Sequence, residues 1–242
     1  CHWMWAIDVA GGLTSTEFCQ MMKQHRRALI PIGSLEQHGD HLPLSTDLII
    51  AEYIAKHVAA RVSSFVFPPI YYGISIEHRP LFNVSLRYST FINMIQDISA
   101  SLSEGGLKRV IYINGHHGNS GAMQYLMHDE CRRVIDKDFS AFSINYWNMV
   151  DTEFDHGGET ETSIMLAVNP HYVQMSRAQP SAINRSKLKK SYDTITNNPG
   201  SFPKITGNGI WGDPRNATVT KGQELLEKIT RNLSVVIQEL DN

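Results

Sequence analysis

The stretch ALIPIGSLEQHGDHLPLSTDLIIAEYIAKHVAARV, residues 28–62, reads as a buried strand, a polar turn and a helix in immediate succession. ALIPIG (28–33) is a short apolar run closed by glycine, as expected of a strand covered on both faces. In DLIIAEYIAKHVAARV (47–62), Ile50, Ile54 and Val58 recur at helical spacing and form one stripe. Between strand and helix, the turn collects Glu36, His38, Asp40, His41 and Asp47. Glu36 and His38 are two apart, so an extended backbone projects them to one side.

The same alternation continues along the chain. SFVFPPIYYG (64–73) reads as a strand interrupted by prolines, and KRVIYING (108–115) and FSAFSINYW (139–147) as further strands. STFINMIQDISASLSEGG (89–106) reads as a helix with a Ser/Thr cap, one apolar face of Phe91, Met94, Ile95, Ile98 and Leu102, and a stop at Gly105-Gly106. Further helices are expected from about Ala122 to Val134, over 159–168 with an end near Pro170, and over 222–240, where Leu225, Ile229, Leu233, Val236 and Leu240 recur. The region 176–215 is rich in Pro, Ser, Asn and Gly and reads as loop. Strands alternating with helices imply an α/β fold, with a mostly parallel sheet covered on both faces, as one domain over residues 1–242.

Composition narrows the function classes. Lys+Arg is 22 and Asp+Glu is 24, a net charge of −2, which offers no electrostatic case for nucleic acid or an anionic membrane. No apolar run is long enough to span a bilayer, and no N-terminal stretch has a signal-peptide layout. Cys1, Cys19 and Cys131 are scattered without a CxxC, which fits a reducing cytoplasm rather than a disulfide framework. The N-x-S/T triplets at Asn83, Asn184, Asn216 and Asn232 are then chance. The opening CHWMW is either a trimmed start or an appended scar over residues 1–4, with Met4 a candidate native start.

In parallel sheets, sites form beyond the carboxyl ends of the strands. Three polar clusters lie just after an expected strand: Glu36 to Asp47, NGHHGNS (114–120) and DHGGETE (155–161). Each brings carboxylates or imidazoles to one sheet edge, and together they point to a metal site. Asp47 at a helix start also suits the helix dipole.

PIGSLEQHGDHLPLSTD, NGHHGN and HGGETETS, in that order, together with YYGISIEH (71–78) and NGIWGDPRNAT (208–218), resemble the creatininase family of metal-dependent amidohydrolases. The resemblance runs from about residue 28 to the C-terminus. It implies a three-layer α/β/α sandwich, a homo-oligomer of hexameric type, and two divalent ions per subunit. It further implies Glu36 and His116 as ligands of one ion, His38 and Glu161 as ligands of the other, and Asp47 as the carboxylate bridging both. A bridging carboxylate lets paired ions share one activated water. Imidazole plus carboxylate ligation suits Zn2+, with Mn2+ or Fe2+ as alternatives. His156 matches a family histidine acting as general acid/base, needed because an amide nitrogen leaves only once protonated.

Other residues carry plainer readings beside functional ones. Asp40 replaces a common proline and reads as a loop residue; His41 is either a partner orienting a ligand or a loop-packing residue. Glu159 reads as a helix-start acid, and Asn114 and Asn119 as turn-shaping. Glu77 and His78 either line the substrate pocket or form a surface pair; His117 and Trp147 are further candidate substrate contacts. RSKLKKS (185–191) reads as a solvated face that could receive an anionic group.

Departures from creatininase itself bear on the substrate. His117 and Gly118 stand where it has an aromatic residue and a metal-contacting glutamate, LFNV replaces FPGT near residue 80, and a substrate-covering tryptophan is missing between Trp147 and His156. A more open pocket is expected. The reading is a hydrolase of a carbon–nitrogen amide bond in a small molecule, such as the cyclic amide creatinine. The alternatives are a formamide hydrolase acting on a pyrimidine nucleotide-like precursor and a peptide-trimming amidase of cofactor maturation. An inactive metal- or ligand-binding homologue rests on Gly118 alone, and the five retained ligands and His156 oppose it.

Overall fold

The computed structural model describes residues 9–126, 138–153, 155–182 and 199–240. Cys1, the Met4 start, Cys131, the second half of the helix expected up to Val134, Asn184 and the basic stretch 185–191 lie outside the described residues.

The strands are β1 (Arg27–Ile32), β2 (Leu35–Glu36), β3 (Phe65–Val66), β4 (Asn83–Val84), β5 (Arg109–Asn114) and β6 (Ser140–Asn145). The helices are α1 (Ser15–Met21), α2 (Thr46–Val62), α3 (Tyr88–Glu104), α4 (Ser120–Leu126), α5 (Glu159–Val168), α6 (Ser201–Thr206) and α7 (Val219–Glu239). The main sheet is parallel, in the order β3-β1-β5-β6. β1 and β5 run in register from Arg27 opposite Arg109 to Ile32 opposite Asn114, so their carboxyl ends coincide.

Alternate side chains of these strands supply two cores. Leu29, Ile111 and Ile113 pack with α2, α5 and α7 through Ile50, Ile54, Ile164, Leu225 and Ile229. Ala28, Ile30, Ile32, Val110 and Tyr112 face the other way and pack with Phe91, Ile95 and Met123 of α3 and α4. A period of two along a strand buried on both faces gives a sheet between two helical layers, an α/β/α sandwich. The Tyr112 hydroxyl, deep in the second core, is satisfied by Ser99 Oγ at 2.7 Å.

Several boundaries differ from the sequence reading. SFVFPPIYYG contributes only Phe65–Val66 to the sheet and a single bridge from Ile70 to Ile32, because Pro68 and Pro69 cannot donate to a ladder. The helix after residue 87 has no side-chain cap: its N-cap is Arg87, and Ser89 and Thr90 lie within the first turn. The helix expected from Ala122 starts at Ser120, and the terminal helix starts at Val219, capped by the Thr218 side chain on the Lys221 N–H. The antiparallel pair β2–β4 was not anticipated. Two-residue strands carry no periodicity to read, yet this pair folds residues 73–86 back over the sheet edge.

Tight backbone contacts hold the carboxyl edge together. A Cβ on Gly115, at the end of β5, would run into the Asp47 carbonyl at the start of α2. A Cβ on Gly222 of α7 would run into the Ser163 carbonyl of α5 and lie 2.9 Å from the Ala167 Cβ. Gly222→Ala is therefore expected to wedge α7 from α5 and cost about 1–3 kcal/mol of stability. A lowered denaturant midpoint checks this; an unchanged midpoint means the two helices adjust freely.

Candidate metal centre

All three polar clusters meet at the carboxyl edge of the sheet. Glu36 comes from β2 and His38 from the loop that follows it, Asp47 from the first turn of α2, and His116 from the residues after β5. His156 and Glu161 flank the start of α5, where Gly157 adopts φ +60°. That positive φ folds the backbone back sharply, and the Gly157 N–H donates to Glu161 Oε2 at 2.6 Å. Asp155 accepts from the Thr160 and Glu161 N–H groups at 2.5 and 3.3 Å, holding the first turn of α5 in place.

Three of the site histidines are anchored through one ring nitrogen to a backbone carbonyl. His38 Nδ1 bonds the Glu36 carbonyl at 3.1 Å, His116 Nε2 the Ile74 carbonyl at 2.8 Å, and His156 Nε2 the Gln37 carbonyl at 2.9 Å. A carbonyl only accepts, so that nitrogen carries the proton and the opposite one is turned to the carboxylates. His38 Nε2 is 3.0 Å from Asp47 Oδ1, and His116 Nδ1 is 3.0 Å from Asp47 Oδ2 and 3.3 Å from Glu36 Oε1. His156 Nδ1 is 3.9 Å from Glu36 Oε1, and Glu161 Oε2 is 3.8 Å from His38 Nε2.

These contacts set lone pairs against lone pairs unless a cation joins them. Both Glu36 oxygens and Asp47 Oδ2 are buried and make no well-formed hydrogen bond, despite ring nitrogens as near as 3.0–3.3 Å. Three sets of donor atoms each lie within 4.8 Å of one another: Glu36, Asp47 and His116; His38, His156 and Glu161; and Glu36, His78 and His156. Imidazole and carboxylate donors at this density, with idle oxygens, fit divalent ions. Without an ion, protons serve as the counter-charge. Burial opposes charge on His38, but Asp47 and then Glu161 lift it to about 9. Burial likewise opposes His116, and Glu36 and Asp47 raise it well above the usual range. Burial would raise Glu36, yet the His116 and His78 rings hold it well below the carboxylate range. Burial raises Glu161, with His38 opposing. His156 goes the other way: burial, then the neighbouring His38 and His78, hold it well below its ordinary value.

The remaining expected residues divide. Glu77 and His78 are not a surface pair: both are buried, because the fold-back of residues 73–86 presses them onto the cluster. His78 Nε2 lies 3.1 Å from Glu36 Oε1. His117 and Trp147 line the cavity above, with ring centroids 5.9 Å apart. His41 bonds Thr162 Oγ1 at 3.0 Å, tying its loop to α5 beside Glu161. Glu159 sits in the first turn of α5 and pairs with Lys221 at 2.6 Å, away from the cluster. Asp40 is exposed. Asn119 shapes the turn, accepting from the Ile74 N–H at 2.9 Å and donating to the Gly33 carbonyl at 3.1 Å, while Asn114 accepts from the His116 N–H at 3.1 Å.

Sequence reasoning missed Gln37, Asp155 and Tyr146. Gln37 Nε2 meets His78 Nδ1 at 3.0 Å and the Gly209 carbonyl at 2.9 Å, and its position between Glu36 and His38 was the available signal. Asp155 opens the DHGGETE motif. Tyr146 is buried in the cavity wall, and burial with the nearby Glu161 and Asp47 raises its hydroxyl well above the ordinary range.

A family model described as creatinine amidohydrolase matches residues 12–237. The chain belongs to the creatininase family. Among its relatives, the creatinine amidohydrolase of Pseudomonas putida is 28% identical over 87% of this chain and 88% of its own. The mycofactocin precursor peptide peptidase of Mycobacterium tuberculosis is 29% identical over 90% of this chain and 87% of its own. A solved variant creatininase of Zn-Zn type superposes with a TM-score of 0.79 at 27% identity, over 96% of this chain and 97% of that one. A solved creatininase with Mn gives 0.80 at 27% identity, over 96% and 98%. The family places the protein among metal-dependent hydrolases of carbon–nitrogen bonds.

Metal binding and protonation must compete here. At pH 7.5, below the folded-state value of His38, the metal-free protein holds protons on His38 and His116 that an ion displaces. Titrating Zn2+ into the metal-free protein should release at least about one proton per subunit, read as a calorimetric enthalpy that shifts with the buffer's ionisation enthalpy. An enthalpy independent of buffer would mean these imidazoles are already neutral.

Proposed function

We propose that the protein is a dimetal hydrolase that cleaves a carbon–nitrogen amide bond of a small substrate. The observation that carries this reading is that Asp47, in one donor set with Glu36 and His116, also lies 3.0 Å from His38 of the adjoining set of His38, His156 and Glu161, beside a cavity of about 680 Å3. Zn2+ suits these donors best, with Mn2+ or Fe2+ as alternatives. Bound there, two divalent ions supply Lewis acidity and a water acidic enough to ionise near pH ~7.

The chain's own residues do the rest. His156 is the general acid/base. Its Nε2 is committed to the Gln37 carbonyl, so Nδ1 accepts the proton of the attacking water and returns it to the departing nitrogen. Burial, with His38 and His78 beside it, lowers its basicity and keeps the ring neutral. His117 and Trp147 form the outer wall against which the substrate lies.

Creatinine or a similar cyclic amide is the first substrate class. The cavity volume favours a second, larger one, a short peptide amide, in line with the peptidase relative. A phosphorylated formamide is less well served: among the described residues, no Lys or Arg lines the cavity, whereas Glu77, Glu153 and Asp155 do. The exposed Cys19 thiol and the missing CxxC fit a cytoplasmic enzyme.

The test is turnover of a panel of lactams, formamides and short peptides by metal-loaded protein. Hydrolysis of at least one amide, lost on chelation and restored by metal, supports the reading; no turnover of any member by fully loaded protein contradicts it. His156→Ala should keep its metal and lose roughly 10²–10⁴-fold in activity. Metal loss in step with activity would make His156 a ligand instead, and full activity would assign the proton transfer to another group.

A further inference from the structure

Glu77 has no part in either proposed metal set, yet it is held tightly at the cavity wall. It lies in the turn Ile76–His78 and is 7% exposed. Its Oε1 approaches His116 Nε2 only to 3.8 Å, and that nitrogen is already committed to the Ile74 carbonyl at 2.8 Å. Its Oε2 is buried and has no hydrogen-bond partner among the described residues. Proteins leave few buried carboxylate oxygens idle, because each forfeits its hydration, and those left idle commonly serve binding or chemistry.

Position 118 is what admits the carboxylate. Gly118 lies two residues after His116, and a Cβ on it would run into the Ile74 carbonyl and His116 Nε2 and lie 2.6 Å from Glu77 Oε1. The Glu77 carboxylate thus occupies, from the facing segment, space that any side chain at 118 would claim. That segment cannot drift away, because Asn119 receives the Ile74 N–H at 2.9 Å while donating to the Gly33 carbonyl at 3.1 Å. Glu77 is therefore fixed in the lining of the cavity that Glu36, Asp47 and His116 also line, with one carboxylate oxygen left unsatisfied behind it.

We propose that Glu77 is a specificity-determining residue whose carboxylate receives an N–H donor of the substrate. It selects amides that carry a cationic or N–H-bearing nitrogen beside the scissile bond. This rests on the amidohydrolase reading for the word substrate, but the recognition it assigns is testable by binding alone. Glu153 and Asp155 also line the cavity, and among the described residues no Lys or Arg does. A charge-assisted hydrogen bond in a site shielded from water is stronger than a neutral one, so the selection is energetically meaningful.

The experiment titrates two small probes of equal shape, acetamidinium and acetamide, into the metal-loaded protein by calorimetry. Metal content and unfolding midpoint are measured on every sample. The wild type should bind acetamidinium in preference to acetamide. Glu77→Gln should cut acetamidinium binding by roughly 10- to 100-fold, the worth of a charge-assisted hydrogen bond, while leaving acetamide binding and metal content unchanged. Glu77→Asp, which keeps the charge, should recover part of the preference. If no amide is hydrolysed but the Glu77-dependent preference persists, the function reading fails and this inference stands. Equal binding of the two probes by the wild type, unchanged acetamidinium binding in Glu77→Gln, or loss of metal in parallel with probe binding would overturn it.

Discussion

Asp47 sets one carboxylate oxygen 3.0 Å from His38 Nε2 and the other 3.0 Å from His116 Nδ1, with side chains almost wholly withdrawn from water. Both rings use their opposite nitrogen to donate to a backbone carbonyl, so the nitrogens facing Asp47 have lone pairs to offer. Lone pairs opposed in a buried space repel, and only positive charge between them makes the arrangement stable. Protons can serve, as the raised basicity of His38 and His116 indicates, and so can metal ions. Everything else at the sheet edge follows from holding one carboxylate between two imidazoles.

The fold meets that constraint with backbone rather than with long side chains. β1 and β5 end in register, so the residues that follow them emerge side by side. The absence of a side chain at Gly115 lets the start of α2 close onto β5, which carries Asp47 into the gap. Carbonyls of Glu36, Ile74 and Gln37 orient the three rings, and backbone positions cannot rotate away as side chains can. Asp155 and His41 hold the first turn of α5, and with it Glu161, against the opposite side of the cluster.

How much of this was readable depended on whether a residue's neighbours in space were set by the alternation of strands and helices. Glu36, His38, Asp47, His116, His156 and Glu161 all follow strands or open helices, and a parallel sheet brings such positions to one edge. The strands β1, β5 and β6, and the helices α2, α3, α5 and α7, were legible because each carries a long enough apolar pattern. Burial of Glu77 and His78 was not legible, since it depends on the β2–β4 pair, only two residues long on each side. The Gln37 amide and the Asp155 cap were hidden for a related reason: their value lies in contacts to Gly209 and Thr160 that no local pattern signals.

On the proposed reading Asp47 would serve both ions and Glu161 one. Metal content per subunit, measured after reconstitution and dialysis, tests it most directly. The account predicts about two divalent ions in the wild type, about one in Glu161→Gln and close to none in Asp47→Ala, with all three proteins folded. Equal metal loss from the two substitutions, or about one ion in the wild type, would contradict it.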